Sequence, residues 1–263
     1  MITVQRSRTE LDRIGLRLAR YCLWPHPRLY WPIGKWRDRL RHSENCDLWV
    51  GGYPRSGNTF LWKWMERAFP EKRIAGHLHV PPSIIRQIQQ GRHGLLTLRS
   101  PRDAVVSWSL YTHQSLRDCL HYYIDFHRVL LPYRKKMIIA PFENITVQPA
   151  HVIENFSRRV GLQTCLSETD KNNISAIFRL IEEDWRNGDG SLDEMKVARP
   201  SEQRRAAARA LQLELDRSRS IRPVLRHAEN LHRKFHEASR PAWIRRSQSV
   251  SWNWLGLSGR SAT

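Results

Sequence analysis

The sequence predicts an α/β protein in which helices flank a central parallel sheet. Short apolar runs alternate along the chain with segments whose apolar residues recur every three or four positions, which is the pattern of strands and amphipathic helices. Strands and helices that alternate in this way pair as a parallel sheet. Two of the strand-to-helix turns also carry arginines and hydroxyls, at the carboxyl ends of strands, where such sheets bind ligands.

The elements of this domain follow from their residue patterns. Apolar runs predict strands over 47–53, up to about 76, over 94–98 and over 136–140. Periodic apolar residues predict helices over 58–68, 82–90, 101–111, 115–131 and 149–160, the last ending at Gly161. The helix start at 101 is the most clearly marked, since Ser100 stands at the N-cap, Pro101 at the first helical position and Asp103 where a capping box has its acceptor.

The flanking segments differ in composition from the domain, for which we predict residues 46–238. Residues 1–45 form a basic extension with an amphipathic helix at about 9–23, which could lie on an anionic membrane surface or pack on the domain, the interpretation we favour. Arg-rich helices are expected over 168–185 and 200–237, and 239–263 is expected to be a poorly ordered tail.

Length and composition favour a single domain in a reducing compartment. The chain has 263 residues, 40% of them apolar, which is enough for one core. Its four cysteines form no C-x-x-C pair, so neither a zinc site nor a disulfide framework is predicted. No apolar run is long enough for a transmembrane helix, and residues 1–24 lack the apolar core of a signal peptide. We therefore expect a cytoplasmic protein with a possible peripheral contact to a membrane.

The net charge of +19 indicates an anionic partner. Residues 1–45 hold ten basic and four acidic residues, and residues 199–263 hold fourteen and five. An anionic cofactor, carbohydrate or lipid surface would be attracted to such a protein. No recognised DNA- or RNA-binding module is present, so specific nucleic-acid binding is not expected.

The turn after the first strand has the features of a phosphate-binding loop. Gly52 and Gly57 have the G-x-x-x-x-G spacing of a P-loop, but Asn58 stands where a nucleotide triphosphatase has lysine. Unpaired N–H groups at a helix start attract anions, and glycine lets the anion approach the backbone. Arg55 adds a planar cation. The alternative is an ordinary turn, in which Pro, Ser, Gly and Asn are common.

The turn after the third strand adds a second set of donors. Arg99 follows the strand directly, and Ser107 lies on the second turn of the next helix. A ligand phosphate at this junction could contact both side chains. Taken alone, Arg99 is more commonly a surface cation.

Together these two segments resemble the sulfotransferases that use 3'-phosphoadenosine 5'-phosphosulfate (PAPS). Residues 53–60 read YPRSGNTF where the family's phosphosulfate loop reads YPKSGTTW, and the family's 3'-phosphate segment matches Arg99, Pro101-Arg102-Asp103 and Ser107 in order and spacing. The resemblance covers about 47–162. It implies a P-loop-like sulfotransferase fold and the cofactor PAPS, with adenosine 3',5'-bisphosphate (PAP) as product.

The resemblance also implies a role for each matching residue. The 5'-phosphosulfate would be held by Arg55, Ser56, Gly57, Asn58 and Thr59. The 3'-phosphate would be held by Arg99 and Ser107, and the adenine would lie near Phe60 and Phe142. Arg55 replaces the lysine that meets the breaking bond in the family; a guanidinium can still stabilise the charge on a leaving phosphate.

The same resemblance predicts a catalytic histidine after the second strand. The family has K-T-H-L-P there, and residues 76–81 read GHLHVP. Ungapped counting favours His77, whereas the local H-x-P pattern favours His79; in an extended segment both would face one side. Histidine suits a general base at neutral pH. With twelve histidines in the chain, either could also be an incidental loop residue.

The sequence thus predicts sulfonate transfer from PAPS to a hydroxyl or amine, without a need for a metal. An anionic carbohydrate and a lipid are both candidate acceptors. In the family a basic C-terminal segment closes over the 3'-phosphate; Arg199, Arg204 and Arg205 are candidates for that role. The alternatives are a P-loop phosphotransferase, which would need lysine at 58, and a non-catalytic basic surface-binding protein that retains the nucleotide fold.

Overall fold

The computed structural model of the chain describes residues 10–34, 45–168, 174–186, 190–193, 197 and 202–243. Its centre is a four-stranded parallel sheet in the order β2-β1-β3-β4. The strands are β1 (Leu48–Gly52), β2 (Ile74–Leu78), β3 (His93–Leu98) and β4 (Ile138–Pro141). The α/β class with a parallel sheet is therefore confirmed, and each predicted strand lies within a few residues of its observed position.

Helices connect and flank the strands. Those of the N-terminal half are α1 (Glu10–Leu23), α2 (Pro27–Gly34), α3 (Asn58–Ala68), α4 (Pro81–Gln89), α5 (Pro101–Thr112) and α6 (Leu116–Leu130), followed by a 3₁₀ turn at Leu131–Lys136. Those of the C-terminal half are α7 (Phe142–Val147), α8 (Pro149–Val160), α9 (Ile174–Trp185), α10 (Glu202–Arg217) and α11 (Arg222–Trp243). Helix α7 was not predicted, because its six residues show no helical periodicity. Helix α11 extends to Trp243, inside the segment predicted as a tail, and 244–263 lie outside the described residues.

Alternating residues of the central strands send their side chains into two separate cores, as expected for a parallel sheet covered on both faces. Trp49 and Leu96 belong to the core beneath α4, α5, α6 and α11. Val50 and Leu95 belong to the core beneath α3, α8 and α9. The sheet is thus shielded on both faces, and its carboxyl edge is where ligands can reach the strand ends.

The predicted start of α5 is correct in position and wrong in its capping bond. Ser100 is the N-cap residue and Pro101 the first helical residue, but the Ser100 side chain makes no capping hydrogen bond. Proline at this position has no N–H to satisfy and holds φ near the helical value, so the first turn forms without the hydroxyl. Asp103 in that turn still lies at the positive end of the helix dipole.

The N-terminal helices contact the domain, with α1 against α6 and α2 against α4. Trp24 is buried, and its ring centroid lies 5.5 Å from that of Tyr122 on α6. Within the described ranges, no helix combines the length and apolar character that crossing a bilayer requires.

Three histidines on α6 and α11 resist protonation in the folded chain. His127 is fully buried, its ring stacked on Tyr123 at 4.0 Å and 5.1 Å from Phe235. Burial lowers the pKa of His127 to about 3. Burial, then the neighbouring Arg17, lowers the pKa of His121 to about 4. Burial, then the neighbouring His236, lowers the pKa of His232 to about 4. The unfolded chain protonates these rings first, so stability falls as pH drops below about 6.5.

We expect His127→Phe to reduce this loss, because phenylalanine fills the aromatic site and does not titrate. Between pH 7 and pH 5 a single such histidine contributes about 2 kcal/mol to the fall in unfolding free energy. Urea unfolding at both pH values measures the difference. His227→Gln, which changes an exposed side chain on α11, is the control and should leave the pH dependence of wild type. An unchanged pH dependence in His127→Phe would contradict the assignment.

Candidate functional site

Two strand-to-helix corners meet at the carboxyl edge of the sheet. Strands β1 and β3 are parallel neighbours, with Gly52 paired to Thr97. The turn from β1 to α3 therefore lies beside the turn from β3 to α5. Arg99 Nη1 donates to the main-chain carbonyl of Arg55 at 2.9 Å, which joins the two corners directly. The two segments singled out in the sequence thus lie side by side at one edge of the sheet.

The backbone of the β1–α3 turn is tightly constrained. Arg55 adopts a left-handed conformation with φ of 64°, and Gly57, at the N-cap of α3, has φ of 89°. A non-glycine residue in this region stores about 1–2 kcal/mol of strain. A side chain at Gly52 would overlap Thr97. The turn therefore depends on glycine at 52 and 57, and it begins a helix whose first N–H groups have no intrahelical partners.

Asn58 fastens this turn to the neighbouring strand. Its Nδ2 donates to the carbonyl of Tyr53 at 2.9 Å, and its Oδ1 accepts from Thr97 Oγ1 at 3.0 Å. The side chain is buried and its amide is used within the protein. What Asn58 offers a ligand is its main-chain N–H at the helix start, whereas its side chain has a structural task.

Ser56 and Thr59 are the hydroxyls of the turn. Ser56 is fully buried, and its Oγ has no hydrogen-bond partner among the described residues. Thr59 is half-buried in the first turn of α3. A buried hydroxyl without a partner is rare and is commonly satisfied by a ligand or water.

Arg55 and Arg204 converge on the same two acceptors. Arg55 Nε donates to Ser107 Oγ at 3.3 Å and Nη2 to the Val197 carbonyl at 3.1 Å. Arg204, from α10, donates to the same oxygens at 2.8 and 2.9 Å. Ser107 thus lies between two guanidinium groups that come from opposite ends of the domain sequence.

The charges of this cluster are held close together with little solvent. Burial, followed by the positive charges of Arg204 and Arg99, lowers the pKa of Arg55 to about 9. Tyr111, whose ring centroid lies 5.4 Å from the Arg55 guanidinium carbon, raises that pKa in part. Burial also lowers the pKa of Arg99, which Asp103 and Glu143 partly offset. Concentrated positive charge at a helix start and a sheet edge is the electrostatic arrangement of an anion site.

Arg99 keeps part of its donor capacity unused. Its Nε makes no hydrogen bond to any described residue. Its guanidinium carbon lies 4.2 Å from the ring centroid of Phe142, and its carbonyl accepts from Tyr123 Oη at 2.9 Å. The residue is therefore fixed through its Nη1, its main chain and its stacking, while its buried Nε is left without a hydrogen bond to the described residues.

The two aromatic residues predicted near an adenine lie in different surroundings. Phe142 is half-buried, stacked with Arg99, and its ring passes 3.2 Å from the position of a Cβ at Gly57. Phe60 is buried in the core, with ring centroids 6.4 Å from Trp64 and 5.1 Å from Phe178. Phe142 thus borders the turn directly, whereas Phe60 packs the buried face of α3 against the core.

The two candidate histidines lie side by side but differ in their contacts. His79 directly follows β2 and lies beside the start of the β1–α3 turn, with Nδ1 2.9 Å from the Gly52 carbonyl. Its own carbonyl accepts from Tyr122 Oη at 2.8 Å. His77 has φ of 57°, so the extended geometry assumed for both is wrong, and its ring packs 5.1 Å from that of Trp62. The two rings are 5.6 Å apart. His79 therefore contacts the β1–α3 turn directly, through the Gly52 carbonyl.

Two of the three candidate C-terminal arginines lie among the described residues, and these two differ in their tertiary surroundings. Arg204 reaches Ser107, Arg205 instead pairs with Glu202 on the surface of α10 at 3.7 Å, and Arg199 lies outside the described residues. Helix α10 is held near the site by Arg102, which pairs with Asp216 at 2.6 Å and with Glu229 at 2.9 Å. No local sequence signal separates Arg204 from Arg205.

Among the residues that the structure describes, no three His, Cys, Asp or Glu side chains are grouped to hold a metal ion.

Comparison with known proteins adds a likeness of fold only. No protein-family model matches the chain, and no curated protein shows significant sequence similarity to it. Among solved structures it is similar to mouse sulfotransferase SULT7A1 complexed with PAP, at 13% sequence identity and a TM-score of 0.43, over 73% of this chain and 94% of that one. A likeness at this level assigns no activity, which must be argued from the site.

The anchoring role of Asn58 can be tested by stability. We expect Asn58→Ala to lower the free energy of unfolding by about 1–3 kcal/mol, because it removes two buried hydrogen bonds, one to the Thr97 hydroxyl and one to the Tyr53 carbonyl. Asn230→Ala, the same change at an exposed position on α11, should stay within about 0.5 kcal/mol. Urea unfolding measures both, and equal losses would contradict the role of Asn58.

Proposed function

We propose that the protein transfers a sulfonate group from PAPS to a hydroxyl or amine acceptor. The observation that carries this proposal is the meeting of Arg55 and Arg204 on Ser107, with Arg99 bound to the Arg55 carbonyl, at two adjoining strand-to-helix corners. PAPS carries one anionic group on its 5' side and another on its 3' side, so it matches two corners that each present cations. The unpartnered Ser56 hydroxyl and Arg99 Nε are donors that such a ligand would satisfy.

The residues divide between the two ends of the cofactor. The 5'-phosphosulfate would be held by Arg55, Ser56, Gly57, Asn58 and Thr59, with Asn58 contributing its main-chain N–H. The 3'-phosphate would be held by Arg99, Ser107 and Arg204. Phe142 borders Gly57 and stacks on Arg99, so it would contact the adenine. Phe60 packs α3, the helix that follows the turn, against the core.

Arg55 would stabilise the charge that develops during the reaction. Bound PAPS supplies an activated sulfonate, whose transfer leaves negative charge on the 5'-phosphate. The Arg55 guanidinium donates to Ser107 and to the Val197 carbonyl, so it would turn toward the 5'-phosphate when the cofactor binds, where it can donate through more than one N–H. Fixed donors in a site with little water are effective at stabilising such charge.

His79 would accept the proton of the acceptor as the acceptor attacks sulfur. The Gly52 carbonyl can only accept a hydrogen bond, so Nδ1 of His79 carries the proton and the lone pair lies on Nε2. That tautomer is the one that a general base requires. Tyr122 holds the main chain of His79 and so helps to orient the ring. His77, packed on Trp62, is the weaker candidate.

Two other functions remain as competitors. A P-loop phosphotransferase would use lysine at 58 to contact the β- and γ-phosphates, and here Asn58 uses its side chain to hold the turn. A non-catalytic surface-binding protein would need no oriented base, whereas His79 is held at both its ring and its carbonyl.

Calorimetric titration with PAP tests the proposed site. We expect PAP to bind more tightly than ATP and without Mg²⁺, because the donors match two separate anionic groups. Arg204→Ala should weaken PAP binding at least about ten-fold, since hydrogen bonds to charged groups contribute about 1.5–3 kcal/mol. Arg205→Ala, its neighbour on α10, should change the affinity by less than about two-fold. Stronger binding of Mg·ATP than of PAP, or equal effects of the two variants, would contradict the proposal.

Single-histidine variants test the base. With radiolabelled PAPS and mixtures of phenols, alcohols, amines and oligosaccharides as acceptors, His79→Ala should lower turnover about 100-fold or more while PAP affinity stays near that of wild type. His77→Ala is the matched control and should retain most of the turnover. If His77→Ala lost turnover and His79→Ala kept it, the assignment would be reversed.

A further inference from the structure

Helix α1 presents an apolar stripe to solvent. Leu11, Ile14, Leu18 and Tyr21 are 81%, 51%, 58% and 61% exposed. Their spacing of three, four and three residues places them on one face of the helix. Amphipathic helices ordinarily turn such a face toward the core. An apolar stripe that faces solvent instead is typical of a surface that binds a protein or a membrane.

The opposite side of α1 holds the helix on the domain. Arg20 pairs with the buried Asp125 of α6 at 3.5 Å, and its guanidinium carbon lies 5.3 Å from the Tyr122 ring centroid. Trp24, one turn further on, is buried against the same tyrosine. The basic side of the helix thus faces the protein, and this contact fixes the apolar stripe in its outward position.

Arginines border the stripe. Arg128 of α6 stacks over Tyr21, with its guanidinium carbon 4.3 Å from the ring centroid. Exposed Arg17 places Nη1 3.4 Å from His121 Nε2 on α6, and exposed Arg117 lies one helical turn before His121 on the same face of α6. The carboxylates nearby are engaged: Asp125 pairs with Arg20 and Arg128, and Asp118 accepts from Ser115 Oγ at 2.8 Å.

We propose that this face of α1, formed by Leu11, Ile14, Leu18 and Tyr21 with Arg17, Arg117 and Arg128 beside it, binds the surface of an anionic lipid bilayer. Exposed leucines enter the boundary between headgroups and acyl chains, tyrosine suits the headgroup level, and arginines contact anionic headgroups. The N-terminal segment 1–45 has six more basic than acidic residues, ten against four. A second copy of a chain with net charge +19 would be repelled, which argues against self-association through this face.

Vesicle co-sedimentation of the full chain tests the proposal. We expect binding to vesicles of phosphatidylcholine with about one-third phosphatidylglycerol, and binding at least about ten-fold weaker to phosphatidylcholine alone. Leu18→Ser should weaken binding to the anionic vesicles at least about ten-fold, because one apolar side chain is lost from the lipid interface. Arg117→Gln should weaken it about five-fold through the lost charge.

The matched control is Leu213→Ser on α10, where the leucine is 52% exposed against 58% for Leu18. It should change vesicle binding by less than about two-fold, and both variants should keep the circular dichroism and PAP affinity of wild type. No co-sedimentation with anionic vesicles, equal binding to uncharged vesicles, or equal losses in the two variants would overturn the proposal. A dimer in sedimentation equilibrium that Leu18→Ser dissociates would also overturn it, by assigning the stripe to a second copy of the chain.

Discussion

The parallel pairing of β1 with β3 is the interaction on which the candidate site depends. Because Gly52 is paired with Thr97, both strands end at the same edge and both following turns lie side by side. The Thr97 hydroxyl also contacts Asn58, so the register that aligns the strands also fixes the turn. A shift by one residue would point Thr97 to the other face of the sheet and remove that contact.

The second constraint is the concentration of positive charge inside a folded protein. Burial and like neighbours disfavour the charged form of Arg55, and the Arg55 backbone is itself in a strained conformation. Such features persist where the surrounding structure is strong enough to hold them, and they cluster at ligand sites. Here the surroundings include the two cores and the ion pairs of Arg102 with α10 and α11.

The N-terminal helices and the candidate base are joined through one aromatic residue. Tyr122 contacts Trp24 and Tyr53 with its ring, at 5.5 and 5.3 Å, and donates to the carbonyl of His79. The helix that carries the exposed apolar stripe therefore packs on the same group that orients the histidine. The proposed lipid contact of α1 and the proposed reaction at the carboxyl edge of the sheet would therefore involve neighbouring parts of the domain.

The sequence by itself determined the order of strands and helices, the two strand-to-helix corners and the cations placed on them, since periodicity, glycine spacing and the Ser-Pro-Arg-Asp helix start are local signals. The tertiary structure alone decided that Arg204 and not Arg205 contacts Ser107, and that the Asn58 amide is used within the protein. It also decided that His79 contacts the Gly52 carbonyl while His77 packs on Trp62, and which face of α1 turns outward. Each of these depends on contacts between residues distant in the chain. No pattern of neighbouring residues encodes such contacts, because they arise only when the sheet brings its strand ends together.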